Sequence, residues 1–118
     1  MSSNICSPAS TVDKSFIKDT IISETPQTLL IDVREPSETS AGMIPTAHNI
    51  PVGSLQSALA LNSEEFRKQY HFDKPDCNKN ITVYCRSGVR SAKAAQCFME
   101  NGYTSILNYS GGWNDWSS

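Results

Sequence analysis

Short apolar runs of strand-like and helix-like period follow one another along this chain. Thr28 to Val33 and Ile81 to Tyr84 are rich in β-branched and apolar residues and carry no proline, so both read as strands, the second a central one. Shorter strands are expected near Thr11-Val12, from Ala47 to Ile50 and from Ser105 to Tyr109. Between them lie helical stretches. Asp13 is placed to cap a helix that runs to Ile22, and Pro36 to Ala41 reads as a short turn of helix ended by Gly42. Ser54 to Leu61 and Ser63 to His71 read as two further helices, with Ser63 capping the second. From Arg90 to Asn101, polar Lys93, Gln96 and Glu100 take one face and Ala94, Ala95 and Phe98 another, and Gly102 is the expected left-handed terminator. Such alternation predicts an α/β fold, a roughly five-stranded and mostly parallel sheet with helices on both faces. Sites in such sheets form beyond the carboxyl ends of the strands.

Cys85 stands at such an end. It lies in Tyr84-Cys85-Arg86-Ser87-Gly88-Val89-Arg90-Ser91, between a strand and a helix. Backbone N–H groups converge at this kind of junction, bind anions and stabilise a thiolate. A small buried cysteine is otherwise often inert. The neighbours argue against inertness here. Gly88 suggests a turn that a Cβ would obstruct. Arg86 and Arg90 add fixed charge, and an arginine near a core needs an anion or a carboxylate to meet. The pattern reads as a nucleophilic thiol in an anion-binding cradle.

The run Cys-Arg-Ser-Gly-Val-Arg resembles the active-site loop of the rhodanese-domain sulfurtransferases, Cys-Arg-x-Gly-x-Arg. Cysteine-dependent phosphatases use a loop one residue longer, usually with His before the Cys, where this chain has Tyr84. The resemblance extends to Leu30-Ile31-Asp32-Val33-Arg34-Glu35-Pro36, to the segment from Gly42 to Pro51 and to Gly111-Gly112-Trp113 with Trp116. Met43 and Thr46 depart from the family's common His and Gly, which touches the local turn rather than the chemistry. The segment from Leu55 to Pro75 is similar to an insertion in small stand-alone eukaryotic members. It reads mainly as a helical pair covering a sheet edge.

The resemblance implies a rhodanese-like fold and a two-step sulfur transfer with no cofactor and no metal. Cys85 is the expected nucleophile, and Arg86, Ser87, Gly88, Val89 and Arg90 form the loop that binds the donor. Asp32, Arg34 and Ser91 are expected to support the loop from behind. The donor is thiosulfate or another persulfide, and the acceptor a thiol such as glutathione, or cyanide. Two alternatives are a persulfide relay fed by a protein donor and, less favoured, a phosphatase or arsenate reductase. His48 and His71 are read as packing and helix-end residues, and at least one of Trp113 and Trp116 as core.

Composition narrows the picture further. The chain of 118 residues suits one domain, expected over residues 11–118 after a flexible Ser-rich start at 1–10. No apolar run is long enough for a membrane span, and a net charge of −2 gives no hint of nucleic acid. Asp13, Asp19 and Glu24 precede the first arginine, Arg34, which is unlike a mitochondrial leader. The cytoplasm is the expected location, with mitochondria open if a leader has been trimmed. The four cysteines, Cys6, Cys77, Cys85 and Cys97, show no Cys-x-x-Cys spacing, so neither zinc nor a dithiol motif is indicated. Cys77 reads as exposed and Cys97 as core. Cys6 or Cys77 is a candidate to resolve a persulfide on Cys85.

Overall fold

The computed structural model describes residues 8–118. The expectations for the first seven residues, Cys6 among them, lie outside the described residues. The elements in chain order are β1 (Ser10–Thr11), α1 (Lys14–Ile22), β2 (Leu29–Asp32), α2 (Pro36–Thr39), β3 (His48–Asn49), a 3-10 turn (Val52–Ser54), α3 (Leu55–Ala60), α4 (Ser63–Tyr70), β4 (Ile81–Tyr84), α5 (Val89–Glu100), β5 (Ile106–Asn108) and α6 (Gly112–Trp116). The five strands form one sheet in the order β1-β5-β4-β2-β3, and every pairing is parallel. No helix among the described residues is long and apolar enough to cross a membrane.

β4 is central and buried along its whole length. Alternation along it divides the core. Ile81, Val83 and then Cys85 face a cluster with Ile31 of β2 and Val33 just after it, and with Leu55, Phe66, Ala94 and Phe98, contributed by α3, α4 and α5. Tyr84 faces the opposite side with Leu30, Ile17, Ile44 and Tyr109, against which Trp113 and Trp116 pack. Cys85 therefore leaves the sheet on the face that α5 covers. The two helices of the Leu55–Pro75 segment give Leu55, Ala58, Leu59 and Phe66 to that core, and Lys74 Nζ closes the end of α3 on the Leu59 and Leu61 carbonyls at 2.9 and 2.7 Å.

Local chemistry sets the element ends. Asp13 accepts from the Phe16 N–H at 3.0 Å and caps α1. At α4 the cap is Asn62, not Ser63: its side chain accepts from the Glu65 N–H at 2.8 Å, so the helix starts one position after the cap. His71 ends that helix by taking a left-handed φ of 66° and returning its N–H to the Arg67 carbonyl. β1 begins at Ser10, inside the stretch expected to be loose, because Ser10 pairs with Leu107. α6 was not anticipated at all. A five-residue helix that opens on glycine has poor intrinsic propensity, and its stability comes from the contacts described below.

Thr46 shows the cost of a departure from the family pattern. The Ala47 N–H bonds the Ile44 carbonyl at 3.1 Å around Pro45-Thr46, with Thr46 at φ 74°. That is the geometry of a type II turn, whose third residue favours glycine. A β-branched side chain is strained there. Thr46→Gly is expected to stabilise the protein by about 1 kcal/mol, read from the midpoint of a urea titration at unchanged slope.

Candidate active site

The Cys85 residue is 1% exposed, at the carboxyl end of β4 and ahead of α5. Its Sγ accepts from the Gly88 N–H at 3.1 Å and lies 3.4 Å from the Ser91 hydroxyl. Burial pushes the thiol up. The Ser91 hydroxyl, followed by the N–H groups of Ser91, Ser87 and Gly88, more than offsets this and holds it below its ordinary value. Ser91 thus touches the sulfur itself rather than supporting the loop from behind. Within the expected cradle, Ser87 and Gly88 face the sulfur, whereas Val89 is 67% exposed on the rim.

The loop is shaped from outside by α6. The Trp113 N–H bonds the Cys85 carbonyl at 2.8 Å, and the Asn114 N–H bonds the Arg86 carbonyl at 3.1 Å. A peptide unit carries its C=O and N–H on opposite sides. Tying these two carbonyls outwards therefore turns the N–H groups of Arg86 and Ser87 away from α6, and the Ser87 N–H meets the sulfur. Such contact needs Gly112, at φ 61°, where a Cβ would lie 2.4 Å from the Cys85 carbonyl oxygen. Gly88, at φ 98°, is likewise required, since a Cβ there would sit 2.8 Å from the Ser110 carbonyl oxygen. Tyr109 fastens α6 by donating its hydroxyl to Asp115 Oδ2 at 2.6 Å.

The arginines take different roles. Arg90 does not stand free for an anion. It makes a two-pronged pair with Glu38 of α2, at 2.6 and 2.9 Å. The bonds from Arg90 and from the Glu35 N–H hold the Glu38 carboxyl down at about 2 against some burial. Folding favours the ionised form of Glu38. Its contribution to stability is present in full above the ordinary carboxylate range and is lost as pH falls towards about 2. Arg86 is exposed and leans towards α6, its Nε donating to Asn114 Oδ1 at 3.4 Å.

Asp32 and Arg34 meet each other beneath the mouth. Arg34 Nη2 lies 2.8 Å from Asp32 Oδ2, and its Nε reaches both carboxylate oxygens at 3.1 Å. Both residues are buried. Arg34 Nη2 also donates to the Gly42 carbonyl at 2.7 Å, and Trp113 covers the guanidinium at 4.7 Å. Removing either partner would strand a buried charge, so the pair holds the turn around Gly42 against the site. Asn49 adds to this by donating to the Asp32 and Arg34 carbonyls, both at 2.9 Å.

Other candidates fall away from Cys85. The His48 ring stacks on Phe72 at 4.0 Å, and burial pushes its pKa down. Cys77 is exposed ahead of β4, where its carbonyl accepts from the Thr104 N–H before β5. That is the amino end of the sheet, a strand's length of about 13 Å from the Cys85 end, so the fold does not bring Cys77 to Cys85 within one chain. Cys97 is half-buried on α5 near Gln56, and burial pushes its thiol up. Glu38, Asn49 and Asn114 were not singled out from the sequence as site residues. Two of them carried a signal: Glu38 completes a capping box with Glu35 on α2, and Asn49 stands in the matched segment from Gly42 to Pro51.

Comparison with known proteins agrees with this fold. The rhodanese-like domain profile matches residues 17–118. A thiosulfate:glutathione sulfurtransferase of Saccharomyces cerevisiae is 43% identical over 93 residues, which cover 79% of this chain and 67% of that protein. A Schizosaccharomyces pombe relative, mitochondrial by name, is 50% identical over 90 residues; these cover 76% of this chain but 63% of that protein. Among solved structures, the human single-domain sulfurtransferase TSTD1 superposes with a TM-score of 0.86 at 34% identity, covering 92% of this chain and 96% of its own.

The α6 contact is open to a direct test. Gly112→Ala is expected to cost about 1–3 kcal/mol in a urea titration and to slow reaction of Cys85 with thiosulfate. Gly53→Ala, where a Cβ would meet nothing within 4 Å, should leave both within experimental error.

Proposed function

This chain belongs to the rhodanese-like domain family, and on that footing we propose that it is a sulfurtransferase in which Cys85 carries the sulfur as a persulfide. The observation that carries the assignment is the Cys85 sulfur held by the Gly88 N–H at 3.1 Å beside the Ser91 hydroxyl, with the thiol displaced towards thiolate. A thiolate, not a thiol, is the competent nucleophile.

The donor is thiosulfate, as for the yeast relative named above. The Cys85 thiolate attacks its outer sulfur. A new sulfur–sulfur bond forms to Sγ, the bond to the sulfonate sulfur breaks, and sulfite leaves with the electron pair as a dianion. The persulfide on Cys85 keeps one negative charge. The acceptor is a thiol of the glutathione kind. Its thiolate attacks the outer sulfur of the persulfide, takes it, and returns Cys85 as thiolate. The N–H groups of Ser87, Gly88 and Ser91 stabilise sulfur anion at both ends of the cycle. Arg86 supplies the cationic charge for the dianionic donor and for departing sulfite. Arg90 acts differently: bound to Glu38, it fixes the end of the loop to α2.

Intact-mass measurement after brief exposure to thiosulfate tests the reading. The reduced protein is expected to gain one sulfur atom that glutathione or cyanide removes, and Cys85→Ser should gain none. Absence of the added sulfur in the unaltered protein would sink the assignment.

The pH dependence of the loading step follows from the direction of the thiol shift. The rate should rise along an acidic limb that lies below the range of an ordinary cysteine, then level off. Ser91→Ala removes the hydroxyl from the sulfur and should move that limb upwards. A rate that keeps climbing through the ordinary thiol range in the unaltered protein would refute the activated thiolate.

A further inference from the structure

Three arginines border the mouth of the cradle, and two are already neutralised: Arg34 by Asp32 and Arg90 by Glu38. Arg86 has no carboxylate within ion-pair distance among the described residues. Its side chain makes one hydrogen bond, the 3.4 Å contact to Asn114 Oδ1, longer than a good charge-assisted bond. It stands over a groove of about 320 Å³ between α2, the loop and α6, lined by Arg34, Glu38, Arg86, Trp113, Asn114 and Ser117. This is far more space than thiosulfate needs and within the range of pockets that hold small organic ligands.

We propose that this groove binds the sulfur acceptor, a small peptide-like thiol with free carboxylates, and that Arg86 is its anchor. The charge pattern selects this class. The groove presents one member of each closed ion pair, Arg34 and Glu38, which leaves Arg86 as its unanswered cation. A carboxylate on the acceptor completes that cation and does not disturb the pairs. The uncharged Asn114 and Ser117 side chains, both exposed, are suited to amide groups rather than to ions. Glu38 and Arg86 are both walls of this groove, and Glu38 is bonded to the last arginine of the cradle, so a ligand seated there lies beside the mouth above Cys85. An acceptor with negative charge would otherwise be repelled by the anionic persulfide. The free guanidinium lowers that repulsion where the two must meet.

The assignment rests on the sulfurtransferase reading, but its test requires no turnover. S-methylglutathione, a thioether that cannot accept sulfur, is titrated into the full chain and followed by NMR. Saturable shifts are expected at the Trp113 indole and at the Asn114 and Ser117 amides. Arg86→Gln should weaken binding about tenfold. Esterifying the carboxylates of the probe should weaken it by a similar factor in the unaltered protein and add little in Arg86→Gln. Absence of saturable shifts at these positions, shifts confined to another face, or equal affinity in Arg86→Gln would overturn the proposal. The two readings part cleanly. If the probe misses the groove while Cys85 still takes sulfur from thiosulfate, only the groove assignment falls. If Cys85 takes no sulfur while the probe fills the groove through Arg86, the sulfurtransferase reading falls and the binding site stands.

Discussion

Two backbone hydrogen bonds organise the active region: those from the Trp113 and Asn114 N–H groups to the Cys85 and Arg86 carbonyls. A loop that aims several N–H groups at one sulfur must send the matching carbonyls somewhere, and an unpaired buried carbonyl is costly. α6 receives them. It is too short and too glycine-rich to stand alone, so loop and helix stabilise each other. Each side also demands a glycine, Gly88 on the loop and Gly112 on the helix, because the backbones approach where a Cβ has no room. The reactive sulfur thus depends on residues almost thirty positions later in the chain.

Charge is arranged on the same economy of space. Three bare guanidinium groups crowded beside a low-dielectric core would be costly. Arg34 is buried but answered by Asp32, the Gly42 carbonyl and the face of Trp113. Arg90 is half-buried and answered by Glu38. Both pairs act as braces that hold the Gly42 turn and α2 against the loop. Of these three arginines, Arg86 is the one left exposed, where solvent can still screen its charge.

Much of this could be read from the sequence, but not all for the same reason. The central strand Ile81–Tyr84 and the loop after it carry their information locally, in β-branched residues, a glycine and a cysteine at a strand end. The amphipathic helix after them is equally explicit. Partnerships across the chain are not. Glu38 and Arg90 lie 52 residues apart, and nothing in either neighbourhood announces the other. Arg90 alone suggested an anion or a carboxylate, and the fold supplies the carboxylate. α6 was invisible because its helical state is imposed by tertiary bonds against weak propensity. Thr46 worked the other way: the mismatch with the family pattern was visible, and the structure shows the left-handed backbone that makes glycine the usual choice. The shift of the α4 cap from Ser63 to Asn62 reflects two adjacent residues with similar capping ability.

The depth of the Cys85 sulfur bears on which products can form. A persulfide offers two electrophilic sulfurs to an incoming thiolate. Attack on the outer one passes sulfur onwards, whereas attack on the inner one expels sulfide and leaves the acceptor joined to the protein as a mixed disulfide. With Cys85 almost wholly enclosed by the loop, Ser91 and the end of β4, the inner sulfur of a persulfide on Sγ would lie behind the outer one from the mouth. On the proposed persulfide chemistry, the burial that by itself disfavours the Cys85 thiolate would thereby direct discharge to the outer sulfur and guard against a mixed disulfide with the acceptor.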